Sequence, residues 1–298
     1  LTNLKALVFV LKQIWKNHKA AQLVLLNLSV HNLSLFLPLL WSFCTLLKLP
    51  LAVRFFGGNF GKAFLGTHPM LRILARKTYL KSSLVIMEIR ALVTQFEHMA
   101  KVHWLPNTRD LPPIKRDYPT IPQKLLFLAQ LRPEKGYQEA LEAVKQLDGA
   151  CTLNLYGPTM MATGQENVAE GFPDATYHGL LGREYIQQVL ADHDLLLFPS
   201  YYEGEGYPGV IIEAMQCGTP VISTHWKFIP EVVEDESGIL VEPRSVSQLV
   251  DAIKGLRADP DAYARLAQGA QSRGEFFRSG KWQRELEDKL LTIIEGST

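Results

Sequence analysis

The sequence predicts an α/β protein of two units, each built on a parallel sheet. Short apolar runs alternate with helical periodicity along the chain, the pattern of strand–helix–strand crossovers. At 298 residues the chain is longer than the usual span of about 100–200 residues per domain. Residues 106–122 (PNTRDLPPIKRDYPTIP) hold five prolines, and proline fixes φ and removes a donor, so an extended linker is expected there. The expected division is residues 1–118 and 119–298.

The opening segment, LTNLKALVFVLKQIWKNHK, reads as an amphipathic helix with spaced lysines and not as a secretory leader with a cleavage site. Strands are expected at Gln22–Leu28, Leu51–Phe56, Leu84–Glu88 and Val102–Leu105, separated by helices near 33–47, 68–80 and 90–99. After the linker, strands are expected at Lys124–Ala129, Cys151–Tyr156, Thr176–His178, Asp194–Pro199, Pro220–Thr224 and Gly238–Val241, with helices between them. Two further helices, 259–273 and 281–294, follow the last strand, and the final one is expected to pack back on the first domain.

Apolar residues at 47% and charged residues at 20% exclude a disordered chain, and no repeat of fixed period is visible. Cys44, Cys151 and Cys217 are too few and too scattered for a disulfide framework or a zinc site, which suggests a reducing compartment. The net charge of +1 conceals an asymmetry: residues 1–118 carry 16 Lys and Arg against 4 Asp and Glu, and the remainder carries 15 against 26. A basic unit joined to an acidic one points the first at an anionic surface, such as a cytoplasmic leaflet or a lipid phosphate. The apolar stretch 33–53 is not expected to span a bilayer, since its longest run without Pro, Lys or Arg is 39–47, far short of about 20 residues.

The densest chemistry lies in FPSYYEGEGYPGVIIEAMQCGTPVIST, residues 198–224, which reads strand, glycine-rich loop, helix, strand. Gly204, Gly206 and Gly209 allow close backbone approach, and a helix starting near Pro208 aims its unpaired N–H groups and its dipole at an anion, as in a diphosphate site. Glu205 and Glu213 add hydroxyl acceptors. A ligand with both phosphates and hydroxyls is a nucleoside diphosphate sugar. A second constellation, LAQLRPEKG (128–136), ends a strand in a cationic turn where Arg132 and Lys135 can reach an anion at the carboxyl end of the sheet. Asp192-His193-Asp194 offers a D-x-D pattern, but at a helix end running into a buried strand it reads as structural, and no metal is expected. Cationic side chains and a helix N-terminus can neutralise a leaving diphosphate instead.

The run Glu205-x7-Glu213 with the continuation Ala214-Met215-Gln216-Cys217-Gly218-Thr219-Pro220-Val221-Ile222 resembles the E-x7-E motif of retaining GT-B glycosyltransferases, family four or "glycosyl transferases group 1". The stretch Thr224–Glu231 is similar to a version found in enzymes of surface polysaccharide synthesis. The resemblance implies a GT-B fold and transfer of a hexose, with retention, from a nucleotide sugar (UDP-sugar favoured, GDP-mannose also compatible) to a glycan or lipid-linked acceptor. It needs no cofactor beyond the sugar nucleotide and no nucleic acid. The implied location is cytoplasmic or peripheral on the inner face of the membrane.

By resemblance, Glu205 faces the transferred sugar, Glu213 holds the ribose, Lys135 binds phosphate, and the turn Gly206-Tyr207-Pro208-Gly209-Val210 cradles the donor. Gly157 and His178, in loops after two further strands, are expected to frame the base. Gln130 stands where the family usually has arginine, and Arg132, two residues on, is the proposed substitute on the same strand face. In the first domain the turn Arg54-Phe55-Phe56-Gly57-Gly58-Asn59 is similar to the family's strand-to-His-Gly turn, with Phe56 at the histidine position. Gly57, Gly58, Asn59 and His31 are the acceptor-side candidates, with Asn32 beside His31. Family members begin with further strands and a glycine-rich loop, so the first domain is expected to lack its first strands. Two rival readings are a GT-B sugar-nucleotide epimerase and a non-catalytic nucleotide-sugar-binding remnant. Phe56, Gln130 and the missing strands suggest the remnant.

Overall fold

A computed structural model describes residues 2–29, 33–114, 116, 120–159 and 168–296. Its contacts divide the chain into two units, Leu1–Pro106 with Gly280–Thr298, and Asn107–Ser279. By this division the proline-rich segment from Asn107 groups with the second unit, and the last helix groups with the first.

In chain order the first unit contains α1 (Thr2–Asn17), β1 (Val24–Ser29), α2 (Leu33–Leu46), β2 (Leu51–Phe56), α3 (Phe60–Gly66), α4 (Pro69–Lys77), β3 (Leu84–Met87), α5 (Arg90–Phe96) and β4 (Val102–Trp104). The second contains β5 (Lys124–Leu128), α6 (Tyr137–Gln146), β6 (Thr152–Tyr156), β7 (Ala175–Tyr177), α7 (Ile186–Ala191), β8 (Leu195–Phe198), α8 (Gly209–Gln216), β9 (Val221–Thr224), β10 (Gly238–Val241), α9 (Val246–Ala258) and α10 (Pro260–Phe276). Helix α11 (Ser279–Glu295) returns to the first unit.

The first sheet is parallel in the order β1-β2-β3-β4, with Leu51 opposite Val24, Ala52 opposite Leu84, and Val85 opposite Val102. Its central strands are apolar apart from Arg54 of β2, and Leu51, Ala52, Val53 and Phe55 of β2 and all of β3 are buried, as in strands enclosed within a parallel sheet. Helix α3 was not expected from the sequence. It has seven residues and no side-chain cap, too little to nucleate alone. It forms because Phe60 and Phe64 enter an aromatic cluster with Phe55 and Phe96, at centroid distances of 4.1 Å for Phe55–Phe60 and 5.1 Å for Phe64–Phe96. At the β4 edge Trp104 meets Trp282 of α11 edge-on at 5.0 Å, and Trp282 is buried.

The second sheet is also parallel, in the order β10-β9-β8-β5-β6-β7. Strands β8 and β9 are buried at every position, while the short edge strand β7 is half-exposed. Strand order reverses at β5, so the loops leaving β5 and β8 open at a topological switch point, where open α/β sheets bind ligands. Two glycines hold these loops in place. Gly136, at φ +81°, turns the chain into α6 against the Pro199 carbonyl after β8, and Gly157, at φ +141°, lies on the Ala129 carbonyl after β5. Ser245 and Asp259 cap α9 and α10 by accepting from the Gln248 and Ala262 amides, with Pro260 opening α10. Among the described residues no helix is long and apolar enough to cross a membrane.

Truncating the buried Trp282 to Ala should cost about 3–5 kcal/mol in urea unfolding, whereas Leu291→Ala on the exposed side of the same helix should stay within about 0.5 kcal/mol. Gly136→Ala should destabilise by about 1–3 kcal/mol, since its Cβ meets backbone and its φ is left-handed.

Candidate active site

The centre of the second unit's carboxyl edge is an ion pair. Lys135 ends a 3-10 turn, Pro133–Lys135, after β5, and its Nζ lies 2.8 and 3.1 Å from the two carboxylate oxygens of Glu205 in the loop after β8. Glu205 is buried, and its Oε2 also accepts from Ser200 Oγ at 2.5 Å. The Lys135 ammonium lies over the rings of Tyr202 (4.9 Å) and Phe198 (5.3 Å). The sequence reading identified Lys135 and Glu205; Ser200 and Tyr202 are additions that it passed over, although both lie in its glycine-rich run.

Arg132 and Gln130 lie beyond the end of β5 at Leu128, so the shared strand face assumed for them does not exist. Arg132 Nε pairs with Glu134 at 3.1 Å, and its guanidinium lies over the Tyr202 ring at 4.8 Å. Gln130 accepts the Arg132 N–H at its carbonyl, 2.9 Å away.

Residues Glu205 to Pro208 are buried, and α8 starts at Gly209 with no side-chain cap on its N-terminus. Gly206, Pro208, Gly209 and Val210 therefore contribute backbone to this mouth. The Tyr207 side chain does not face it: its hydroxyl donates to Glu231 at 2.6 Å and its ring meets Phe277 edge-on. Glu213, one turn into α8, accepts from Arg109 Nε at 2.8 Å. Burial pushes the Glu213 carboxyl above the usual carboxylate range, and the positive charges of Arg109 and Arg183 oppose that rise. Arg109 had no signal in the sequence, being one cation in an irregular proline-rich segment, 104 residues from its partner.

At the ends of β6 and β7, Gly157 donates to the Gly179 carbonyl at 2.8 Å and accepts from Tyr177 Oη at 2.9 Å. The His178 ring stacks on Tyr156 at 4.6 Å and bonds Asn154 Oδ1 at 2.7 Å, and burial pulls its imidazole below the ordinary value. Asp194 is structural: its carboxylate accepts the Gln123 and Lys124 amides at 2.8 and 2.7 Å. Among the described residues no three His, Cys, Asp or Glu side chains are grouped as metal ligands.

In the first unit Gly57, at φ +85°, donates its N–H to Glu88 Oε1 at 3.0 Å; Glu88 is buried and was not singled out from the sequence. Arg54 lies over Phe56 at 4.6 Å, where burial lowers its pKa and Glu88 opposes the change. Gly58 follows in the same turn, and Asn59 precedes α3 without a side-chain cap. His31 and Asn32 lie outside the described residues.

Residues 122–259 match the family described as glycosyl transferases group 1. The putative colanic acid biosynthesis glycosyltransferase WcaL of Escherichia coli (strain K12) is 32% identical over 196 residues, covering 59% of this chain and 46% of WcaL. The sucrose-phosphate synthase of Thermosynechococcus elongatus superposes with a TM-score of 0.78 at 18% identity, covering 98% of this chain and 79% of that one. HepE of Anabaena, in complex with UDP, superposes with a TM-score of 0.75 at 19% identity, covering 94% and 81%. The chain spans less than half the length of the curated relatives it matches. The fold is α/β of the GT-B type, and residues 122–259 of the second unit are similar to the glycosyl transferases group 1 family.

Proposed function

We propose that this chain transfers a hexose from a nucleoside diphosphate sugar, a UDP-sugar in the first instance, to a glycan or lipid-linked acceptor with retention of configuration, in the synthesis of a surface polysaccharide. The observation that carries this reading is the contact of Lys135 with the buried Glu205 at the switch point, beside the uncapped N-terminus of α8. A cation and free amide groups suit a diphosphate, and a buried carboxylate beside them suits sugar hydroxyls. The family match over this region and the UDP complex of HepE support the same ligand.

In this mechanism the bond between the anomeric carbon and the diphosphate oxygen breaks as the acceptor oxygen bonds to the same face of that carbon. The acceptor hydroxyl proton passes to the departing diphosphate oxygen. Lys135 and the α8 amides stabilise the charge that develops there, so the reading requires no metal. Glu205 orients the hexose, and Glu213 accepts from the ribose hydroxyls. Arg132 and Gln130 line the diphosphate side, and Gly157 and His178 the base side. In the first unit the turn Gly57-Gly58-Asn59 and the buried Glu88 are the polar groups proposed for the acceptor. Peripheral attachment to an anionic leaflet is supported by α1, whose exposed Phe9 and Trp15 are interspersed with exposed Lys12 and Lys16.

Thermal unfolding with UDP, GDP, ADP and their sugars should show selective stabilisation by uridine ligands, about 2.7 kcal/mol at 100 times Kd, and no shift with any nucleotide would overturn the reading. Lys135→Ala should lower the rate of transfer by about 10²–10³ with little loss of nucleotide affinity, whereas Glu213→Ala should weaken nucleotide binding by about tenfold or more. The two are separated by measuring UDP affinity by calorimetry alongside single-turnover transfer.

A further inference from the structure

We propose that Arg109 is a positioning residue for the nucleotide, holding one oxygen of the Glu213 carboxylate so that the other is presented to the ribose hydroxyls. The proposal rests on the donor-site reading above and adds a residue outside the matched region to it.

The guanidinium is fixed from two sides. Its Nε donates to Glu213 Oε1 at 2.8 Å, while Nη1 donates to Asn107 Oδ1 at 2.7 Å and to the Thr108 carbonyl at 2.8 Å. The segment that carries it is itself tied to the second unit. Asn107 donates to the Tyr207 carbonyl, Gln216 donates to the Arg109 carbonyl at 2.6 Å, and the Leu111 N–H returns to Gln216 Oε1 at 3.0 Å. Residues 107–111 thus form a strap along α8, anchored at both ends of that helix.

Gly209 makes room for it. A Cβ there would collide with the Arg109 guanidinium. Gly209 is not among the left-handed residues, so space and not backbone conformation is what its missing side chain provides. Arg109 and Gly209 are therefore a matched pair at the first turn of α8, one turn before Glu213.

The electrostatics agree with this placement. Burial alone favours the neutral acid at Glu213, which would present a hydroxyl where a ribose needs an acceptor. The groups that face Glu213 are Arg109 from the strap, Arg183 from the turn before α7, and Cys217, which follows the last residue of α8. The Cys217 thiol is pushed up to about 12 by burial, so it remains neutral and contributes no competing charge at ordinary pH. Arg109 alone of these makes a hydrogen bond to the carboxylate.

The sign of the pH effect follows. Without the cation the Glu213 carboxyl titrates higher, so the carboxylate needed by the ribose is lost earlier as pH falls and regained as pH rises. UDP affinity of the full chain, measured by calorimetry between about pH 5.5 and 8.5 and expressed at each pH as a ratio to the unmutated protein, removes the titration of the ligand's own phosphate near pH 6. Arg109→Ala should weaken UDP about tenfold at pH 6 and within about threefold at pH 8.5, a difference set by the extra protonation of one carboxyl. Arg109→Lys should restore most of the loss at pH 6. Gly209→Ala, which keeps the α8 amide and favours helix, should reproduce the pH-dependent loss with Arg109 still present. Adding Glu213→Gln to Arg109→Ala should flatten the ratio.

A loss in Arg109→Ala that is uniform across pH, or survives Glu213→Gln unchanged, would reduce the strap to a structural role and overturn the proposal. So would full affinity in Arg109→Ala at pH 6 while Glu213→Gln alone weakens UDP; the donor-site reading would then stand. If the unmutated chain binds neither UDP nor GDP, the donor-site reading fails and the proposal falls with it.

Discussion

A carboxylate removed from water must find compensation in the protein, and at Glu205 that requirement organises the carboxyl edge of the second sheet. The compensation comes from two loops. Lys135 arrives after β5 and Ser200 after β8, and neither could reach Glu205 unless those loops ran in contact. The glycine at 136 permits that contact by letting the chain turn against the Pro199 carbonyl. The pair is then flanked by Tyr202 and Phe198, whose ring faces suit an ammonium. A buried ion pair of this kind contributes little net stability but fixes geometry strongly, because either partner left alone is costly.

The second carboxylate lives by a different rule. Glu205 sits in the loop and is enclosed, whereas Glu213 rides on a helix of eight residues and meets its cation through the irregular strap 107–111. The two acids are thus held separately, one by loops at the edge of the sheet and one by a segment that lies outside it. Helix α8 joins them, offering amide groups at its start and a carboxylate a turn later. Its length leaves no slack: Gln216, its last residue, is committed to holding the strap and the Gly274 carbonyl of α10.

Much of this was legible in the sequence, and the physical reason is periodicity. Buried parallel strands write themselves as apolar runs, so β2 and β10 agree with the expected bounds to the residue, and Lys135 and Glu205 could be placed in loops after strands and Glu213 inside the helix that follows. What escaped notice depends on tertiary contact. Helix α3 has glycines at Gly61 and Gly66 and is held by ring packing rather than by propensity. Arg109 and Glu88 have no local pattern, since the group that gives each its meaning lies far along the chain. Tyr207 shows the converse, a residue in the right motif whose side chain turns inward to Glu231.

The return of α11 to the first unit has a consequence for the order in which the molecule can be made. The second unit is one continuous stretch, and its strands and helices are all available once residue 279 has left the ribosome. The first unit is discontinuous. Its strands emerge first, yet Trp104 at the β4 edge waits for Trp282, which is synthesised only after the whole of the other unit. During vectorial synthesis the earlier part of the chain is therefore the later to finish folding, and the β4 edge stays without its aromatic cover for the time needed to translate the whole second unit.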